Sequence, residues 1–303
     1  IPYPIGKAGS RMQTRIPSKV VFASIVPVLI AVILSCGDSP SSEAGRNGMN
    51  TLTLEEREAG WILLFDGETL NGWEDPARED PPGDAWIVED GCIKAVARPQ
   101  LREDLFTIET FGKFEFVFEW KISPGGNSGV KYRIQDRAVL VAGKTNPDAQ
   151  RFEDTVDFEL RNRNWERHRL GPDDRMEEYV VAYEYQLIDN EGHQDATAGA
   201  DRQTGSIYGL VAPSEQAALP VGEFNYSRIV LSDNQVEHWL NRSKVIDTDL
   251  DSEEIRAGLE KRWTEDSPVY LLLTEMPHRD TPIVLQHHND EVWFRNLKIR
   301  RLD

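Results

Sequence analysis

The sequence predicts an all-β fold, a sandwich of two antiparallel sheets with few short helices. Three observations carry that expectation: apolar and polar residues alternate at period two in ten or more short runs, turn residues separate the runs, and only two segments read as helices. The alternation is clearest where Phe114, Phe116, Phe118 and Trp120 interleave with Glu115, Val117, Glu119 and Lys121, as in a half-buried strand with its aromatics inward. Of the 303 residues 28% are charged and 39% hydrophobic, which excludes a chain that is disordered throughout and leaves room for one large β domain or two ordinary ones.

The chain opens with what read as processing signals. Residues 1–11 fit no structural pattern, but Met12 begins a short basic segment with Arg15 and Lys19, followed by an apolar run over 20–34. These are the n-region and h-region of a signal peptide, with residues 1–11 upstream of its start. The run spans 15 residues, short for a membrane crossing. Ser35-Cys36 directly after it resembles a bacterial lipobox, in which the thiol of Cys36 is acylated; a plain anchor, or an ordinary signal peptide with a chance cysteine, has the same pattern. Residues 36–51 are a polar tether, and a single domain over 52–303 follows. The expectation is an extracytoplasmic bacterial lipoprotein, periplasm-facing or in the outer membrane, held by acyl chains without spanning the bilayer.

No acidic residue precedes Asp38, so removing residues 1–35 leaves 30 basic against 52 acidic residues and takes the net charge from −18 to −22. Such a surface repels phosphate backbones and anionic headgroups, which excludes nucleic acid as a partner and favours a neutral substrate or a cation. Cys92 is then the one remaining cysteine, so no intramolecular disulfide forms. Its neighbours Gly91 and Ile93 mark it as a small buried side chain rather than a nucleophile.

Within the domain, 53–59 (TLEEREA) predicts one helical turn, with Thr53 three residues ahead of Glu56 as a capping box. Strands are expected at 85–88, 114–121, 130–135, 155–160, 180–188, 206–211, 227–231, 235–240, 269–274, 283–285 and 292–300, and a second helix at 252–262. Turns at 124–127 (PGGN), 189–192 (DNEG) and Asp233-Asn234 separate them. The polar stretch 137–178 reads as an insertion on one sandwich: a lid, a rim loop or an extra hairpin. Phe65, Trp73, Trp86, Phe294 and Leu297 are assigned to the core, and His238 and Trp239, being adjacent on a strand, must face opposite ways.

Along a strand alternate side chains share a face, so Glu184 and Gln186 project together, as do Lys131 and Arg133, opposite the apolar set that includes Val130, Tyr132, Tyr183 and Tyr185. A curved sheet bearing carboxylate, amide and guanidinium groups forms a groove suited to a sugar, whose hydroxyls need donors and acceptors. A solvated sheet face laced with salt bridges has the same pattern.

Eight blocks resemble the 3-keto-disaccharide hydrolase family: 61–73 (WILLFDGETLNGW), 86–91 (WIVEDG), 123–133 (SPGGNSGVKYR), 184–189 (EYQLID), 205–213 (GSIYGLVAP), 220–225 (PVGEFN), 236–241 (VEHWLN) and 282–302 (PIVLQHHNDEVWFRNLKIRRL). The resemblance implies a concanavalin A-like jelly roll and favours the sugar-binding groove over the solvated face. Two positions depart from the family pattern. Gln286-His287-His288-Asn289-Asp290 stands where Gln-Asp-His-Gly-Asp is usual, and Arg242 replaces the glycine of a turn.

The activity that the resemblance implies is cleavage of 3-keto-glycosides. A ketone at C3 acidifies the hydrogen on C2, the resulting enolate expels the glycosidic oxygen from C1, and water adds to the enone. That chemistry needs a base near C2 and a cation or donor near the keto oxygen. Glu184, Asp189, His193, Asp195 and His288 are the candidate bases, and Arg133 the expected donor. Asn127, Ser128, Lys131, Gln186, His193, Tyr208 and Gln286 are the expected substrate-binding groups. The sequence fixes no cofactor; a divalent cation on Asp189, His193 and Asp195 is an alternative use of those side chains. Two further readings remain: a non-catalytic, lectin-like carbohydrate-binding module, and a glycosidase acting on unoxidised glucans through Asp157 and Glu159.

Overall fold

The computed structural model describes residues 48–74, 84–100, 102–142, 149–161 and 176–303. In chain order the strands are β1 (Trp61–Leu63), β2 (Trp73–Glu74), β3 (Trp86–Glu89), β4 (Cys92–Ala95), β5 (Leu105–Thr107), β6 (Phe114–Ile122), β7 (Asn127–Ala142), β8 (Val156–Arg161), β9 (Met176–Ile188), β10 (Asn225–Ser232), β11 (Gln235–Leu240), β12 (Ser243–Asp249), β13 (Val284–Leu285) and β14 (Val292–Arg301). Among the described residues four short α-helices join them: α1 (Leu54–Glu58), α2 (Gln194–Ala198), α3 (Glu253–Glu260) and α4 (Pro268–Glu275).

The strands form two antiparallel sheets, as expected for a concanavalin A-like jelly roll. One has the order β12-β11-β10-β6-β14-β4-β3, with β1 also on β14; the other has β2-β5-β13-β7-β8, with β9 also on β7. Period-two alternation decides what lies between them. Phe114, Phe116, Phe118 and Trp120 of β6 face inward with Ile229 and Leu231 of β10, and from the other sheet Val130, Tyr132, Tyr183, Tyr185 and Leu187 meet them, all buried. Burial of each large apolar side chain contributes about 1.5–3 kcal/mol.

The tyrosines bring polar atoms into this core, and each finds a partner. Tyr183 donates to the Leu273 carbonyl at 2.7 Å, Tyr185 to the Trp239 carbonyl at 3.1 Å, and Tyr132 meets His238 Nε2 at 2.9 Å. Burial pushes His238 down to about 4, so it is a neutral core residue. Trp239 points to the outer face, its ring beneath Arg228 and Lys244.

Several expectations hold at residue level. Thr53 and Glu56 form the capping box of α1, Ser252 caps α3, and Phe65, Trp73, Trp86, Phe294, Leu297 and Cys92 are buried. The Asn241-Arg242 turn takes positive φ at both residues, 47° and 79°, which places Arg242 in the region where glycine is unstrained.

Others do not. Residues 269–274 are helical: Pro268 sits in the first turn of α4 and Val269, Tyr270 and Leu273 meet the core, so a continuous apolar run follows the N-terminal signal. Residues 206–211 form a turn closed by the isolated Ile207–Val211 bridge, bent by positive φ at Gly205 and Gly209. The 137–178 stretch extends the second sheet, with β7 running to Ala142 and pairing there with both β8 and β9. Residues 1–47, including Cys36, lie outside the described residues.

Candidate active site

β7 and β9 pair so that Lys131 lies opposite Glu184 and Gly129 opposite Gln186. With the tyrosines of both strands turned inward, Lys131, Glu184 and Gln186 share the outer face, as the alternation predicts. They floor a cavity of about 260 Å³. Its polar lining includes Asp104, Asn127, Gln286 and His288, and its apolar lining Phe152, Tyr179, Leu210 and Trp263. The rings of Phe152, Tyr179 and Trp263 pack as a group, with centroids 5.5–6.0 Å apart.

At the floor, Lys131 Nζ lies 3.0 Å from Asp104 Oδ2, and Asp104 Oδ1 accepts the backbone N–H of His287 at 2.8 Å. Burial works against both charges, but each partner outweighs it: the Lys131 ammonium is held above its ordinary value and the Asp104 carboxyl below its own. Glu184 receives less help. Burial pushes its carboxyl up to about 7, with Lys131 pulling against the shift and Asp104 adding to it. Oriented by its neighbours, the Gln286 amide spans the two, its nitrogen donating to Glu184 Oε1 at 3.2 Å and its oxygen accepting from Lys131 Nζ at 3.3 Å. The room for Glu184 comes from Gly129, where a Cβ would collide with the carboxylate. A carboxyl displaced to about 7 thus lies beside an ammonium held in its charged form, the pairing that proton abstraction near neutrality requires.

Gln186 donates to Asn127 Oδ1 at 2.9 Å, while its own Oε1 is buried with no protein partner. Tyr208 lines the cavity and donates to Asp195 Oδ2 at 2.7 Å. The His193 and His288 rings stand edge to face at 6.3 Å.

Four expected groups are elsewhere. Arg133 falls in a bulge where residues 133–135 oppose Ala182 alone, and its positive φ of 55° turns it away from the cavity; its guanidinium donates to the carbonyls of Arg279 and Asp233. Lys131 holds the position expected of it. Asp189 is a turn staple: Gly125 and Gly192 donate to it at 2.8 Å and Glu191 at 3.1 Å. Burial would raise its pKa, and these donors together with His193 hold it below the ordinary range. Ser128 is buried and donates to the Gln286 carbonyl at 2.9 Å, fixing the loop rather than touching the cavity. Asp195 is engaged by Arg202 and Tyr208, so Asp189, His193 and Asp195 do not converge as a metal set. Asp157 and Glu159 pair through their backbones with Val141 and Val139, but their side chains lie outside the described residues.

Sequence reasoning missed Asp104, Asp290 and the aromatic wall. Asp104 precedes a three-residue strand and carries no periodic signal, whereas Asp290 stood inside the 286–290 block. The departures in that block are structural. His287 is buried, with Nε2 bound to the Val96 carbonyl at 3.0 Å, and Asn289 takes φ 69°, the conformation that suits the usual glycine and that asparagine tolerates.

Residues 60–300 match the 3-keto-alpha-glucoside-1,2-lyase-like domain family. A 3-keto-disaccharide hydrolase of Bacteroides thetaiotaomicron is 32% identical over 268 residues, covering 84% of this chain and 83% of that protein. A Parabacteroides distasonis crystal structure, described as a candidate glycosyl hydrolase, superposes with a TM-score of 0.61 at 27% identity, over 84% of this chain and all of the other (100%). A second Parabacteroides distasonis structure shares the fold, with a TM-score of 0.50 at 23% identity over 80% of this chain and 99% of its own.

Proposed function

Starting from the fact that this chain belongs to the 3-keto-alpha-glucoside-1,2-lyase-like domain family, we propose that it cleaves 3-keto-glycosides by elimination across C1 and C2 followed by addition of water. The observation that carries the reading is Glu184, a carboxyl pushed to about 7, facing Lys131 across paired strands at the floor of a cavity.

In this reading the Glu184 carboxylate takes the proton from C2. The electron pair of that C–H bond moves to form C2=C3, with the charge on the keto oxygen, where the Lys131 ammonium stabilises it. Return of the pair restores the ketone, forms C1=C2 and breaks the C1–O bond. Glu184, neutral after the first step and stable as such in its buried setting, returns the proton to the departing oxygen. Water then adds across C1=C2. Gln186 Oε1 accepts from a sugar hydroxyl, and the wall of Phe152 and Tyr179 borders the leaving group.

Incubation with a 3-keto-disaccharide and with its unoxidised parent tests the reading. Monosaccharide is released from the first only, and deuterium at C2 slows the release. Cleavage of both, or binding without cleavage of either, rejects elimination in favour of ordinary glycoside hydrolysis or a lectin-like role.

The proposal includes acylation of Cys36 and a position outside the cytoplasm, supported by the basic segment, the apolar run and Ser35-Cys36. Among the described residues no helix is long and apolar enough to cross a membrane. Detergent-phase partition of the full chain, lost in Cys36→Ala, is the expected result.

A further inference from the structure

Two connections far apart in sequence meet beside the cavity, one following β9 and the other joining β13 to β14. They bring one ligand atom each from His193, His288 and Asp290 to within 4.8 Å of one another. All three side chains are half-buried. The rings of His193 and His288 are nearly perpendicular, at 80°. Asp290 is anchored by the backbone N–H of Asn127, which donates to Oδ2 at 3.1 Å, and His288 lines the cavity that Glu184 floors.

We propose that His193, His288 and Asp290 hold a divalent transition-metal cation of the manganese, cobalt or zinc type at the rim of this cavity. Two imidazoles and a carboxylate suit such ions, whereas magnesium and calcium take oxygen ligands. Ligands of this kind stand about 2.0–2.2 Å from zinc. Atoms no more than 4.8 Å apart therefore close around an ion through small side-chain rotations. His193 Nδ1 accepts the backbone N–H of Asp195 at 3.1 Å; ligation through Nε2 places the ring proton on Nδ1 and gives up that bond. Three protein ligands leave positions open to water or to a substrate oxygen. Which oxygen rests on the elimination reading: the keto oxygen or a neighbouring hydroxyl, whose polarisation acidifies the adjacent C–H.

Equilibrium dialysis of chelator-stripped protein against Mn²⁺, Co²⁺ and Zn²⁺ separately tests the site. One ion per chain is expected, with a visible Co²⁺ absorption band. His288→Gln and Asp290→Asn weaken binding by at least about tenfold, and His278→Ala, outside the cluster, leaves it unchanged. Circular dichroism matching the parent ties the loss to ligation. Equal binding by parent and variants, or none at millimolar Co²⁺, overturns the proposal. Binding is read without substrate, so a protein that binds the ion but cleaves no 3-keto sugar rejects elimination alone, and one that cleaves but binds no ion rejects the cation site alone.

Discussion

On the outer face of the eight-stranded sheet Glu119 meets Arg295 at 2.7 Å, and both side chains are about one quarter exposed, 26% and 27%. On the outer face of the six-stranded sheet Lys131 meets Asp104 at 3.0 Å, with exposures of 7% and 14%. The two faces arise from the same alternation of charged and apolar residues, yet the Lys131–Asp104 pair is the more deeply buried. Water screens the first set of charges, and they serve as a solvated ladder. Removed from water, the second set pulls apart in proton affinity, and Glu184 is displaced to about 7. Burial, rather than composition, separates a screened ion pair from one whose neighbour Glu184 is shifted.

The sharpest way to break this comparison is to remove one carboxylate from each face. Glu184→Gln is expected to lower turnover by about 10²–10⁴ with little change in substrate affinity, whereas Glu119→Gln leaves both near the parent values; steady-state kinetics on a 3-keto-disaccharide decides. Stability is expected to divide the same way. Asp104→Ala leaves Lys131 buried without its partner and costs about 3–5 kcal/mol in urea unfolding, against at most about 1 kcal/mol for Glu119→Ala.

A pH titration sharpens the contrast further. Turnover at low substrate rises as pH passes through about 7, where the base ionises. Stability moves the other way: a carboxyl whose folded pKa lies above its ordinary 4.5 leaves the fold most stable below that value and weakens it progressively up to about 7. Denaturant midpoints across this window should lose that slope in Glu184→Gln. The smallest expected change in activity is at Arg133. Arg133→Met frees two backbone carbonyls and lowers the unfolding temperature, while the ratio of turnover to KM stays at the parent value.

Much of the site was legible because strand periodicity is local. Lys131, Glu184 and Gln186 needed only alternation and the inward preference of Tyr132, Tyr183 and Tyr185 to be placed on one face. Arg133 obeyed the same count and was misplaced, because a bulge is decided by tertiary contacts with Arg279 and Asp233 that sequence spacing does not contain. Asp104 was invisible for a related reason: its meaning comes from Lys131, a residue on another strand. In 268–275 the apolar run fits strand and helix equally, and Pro268 alone marked the outcome.

The bulge at 133–135 also divides β7 into two lengths whose pairing with β9 is counted separately, Asn127–Tyr132 and Asp136–Val141. An inserted or deleted residue in the far length would exchange the inner and outer sides there, and the irregularity would absorb the change before it reached Lys131. The facing of the outer half of this hairpin is thus set independently of the length that carries Lys131.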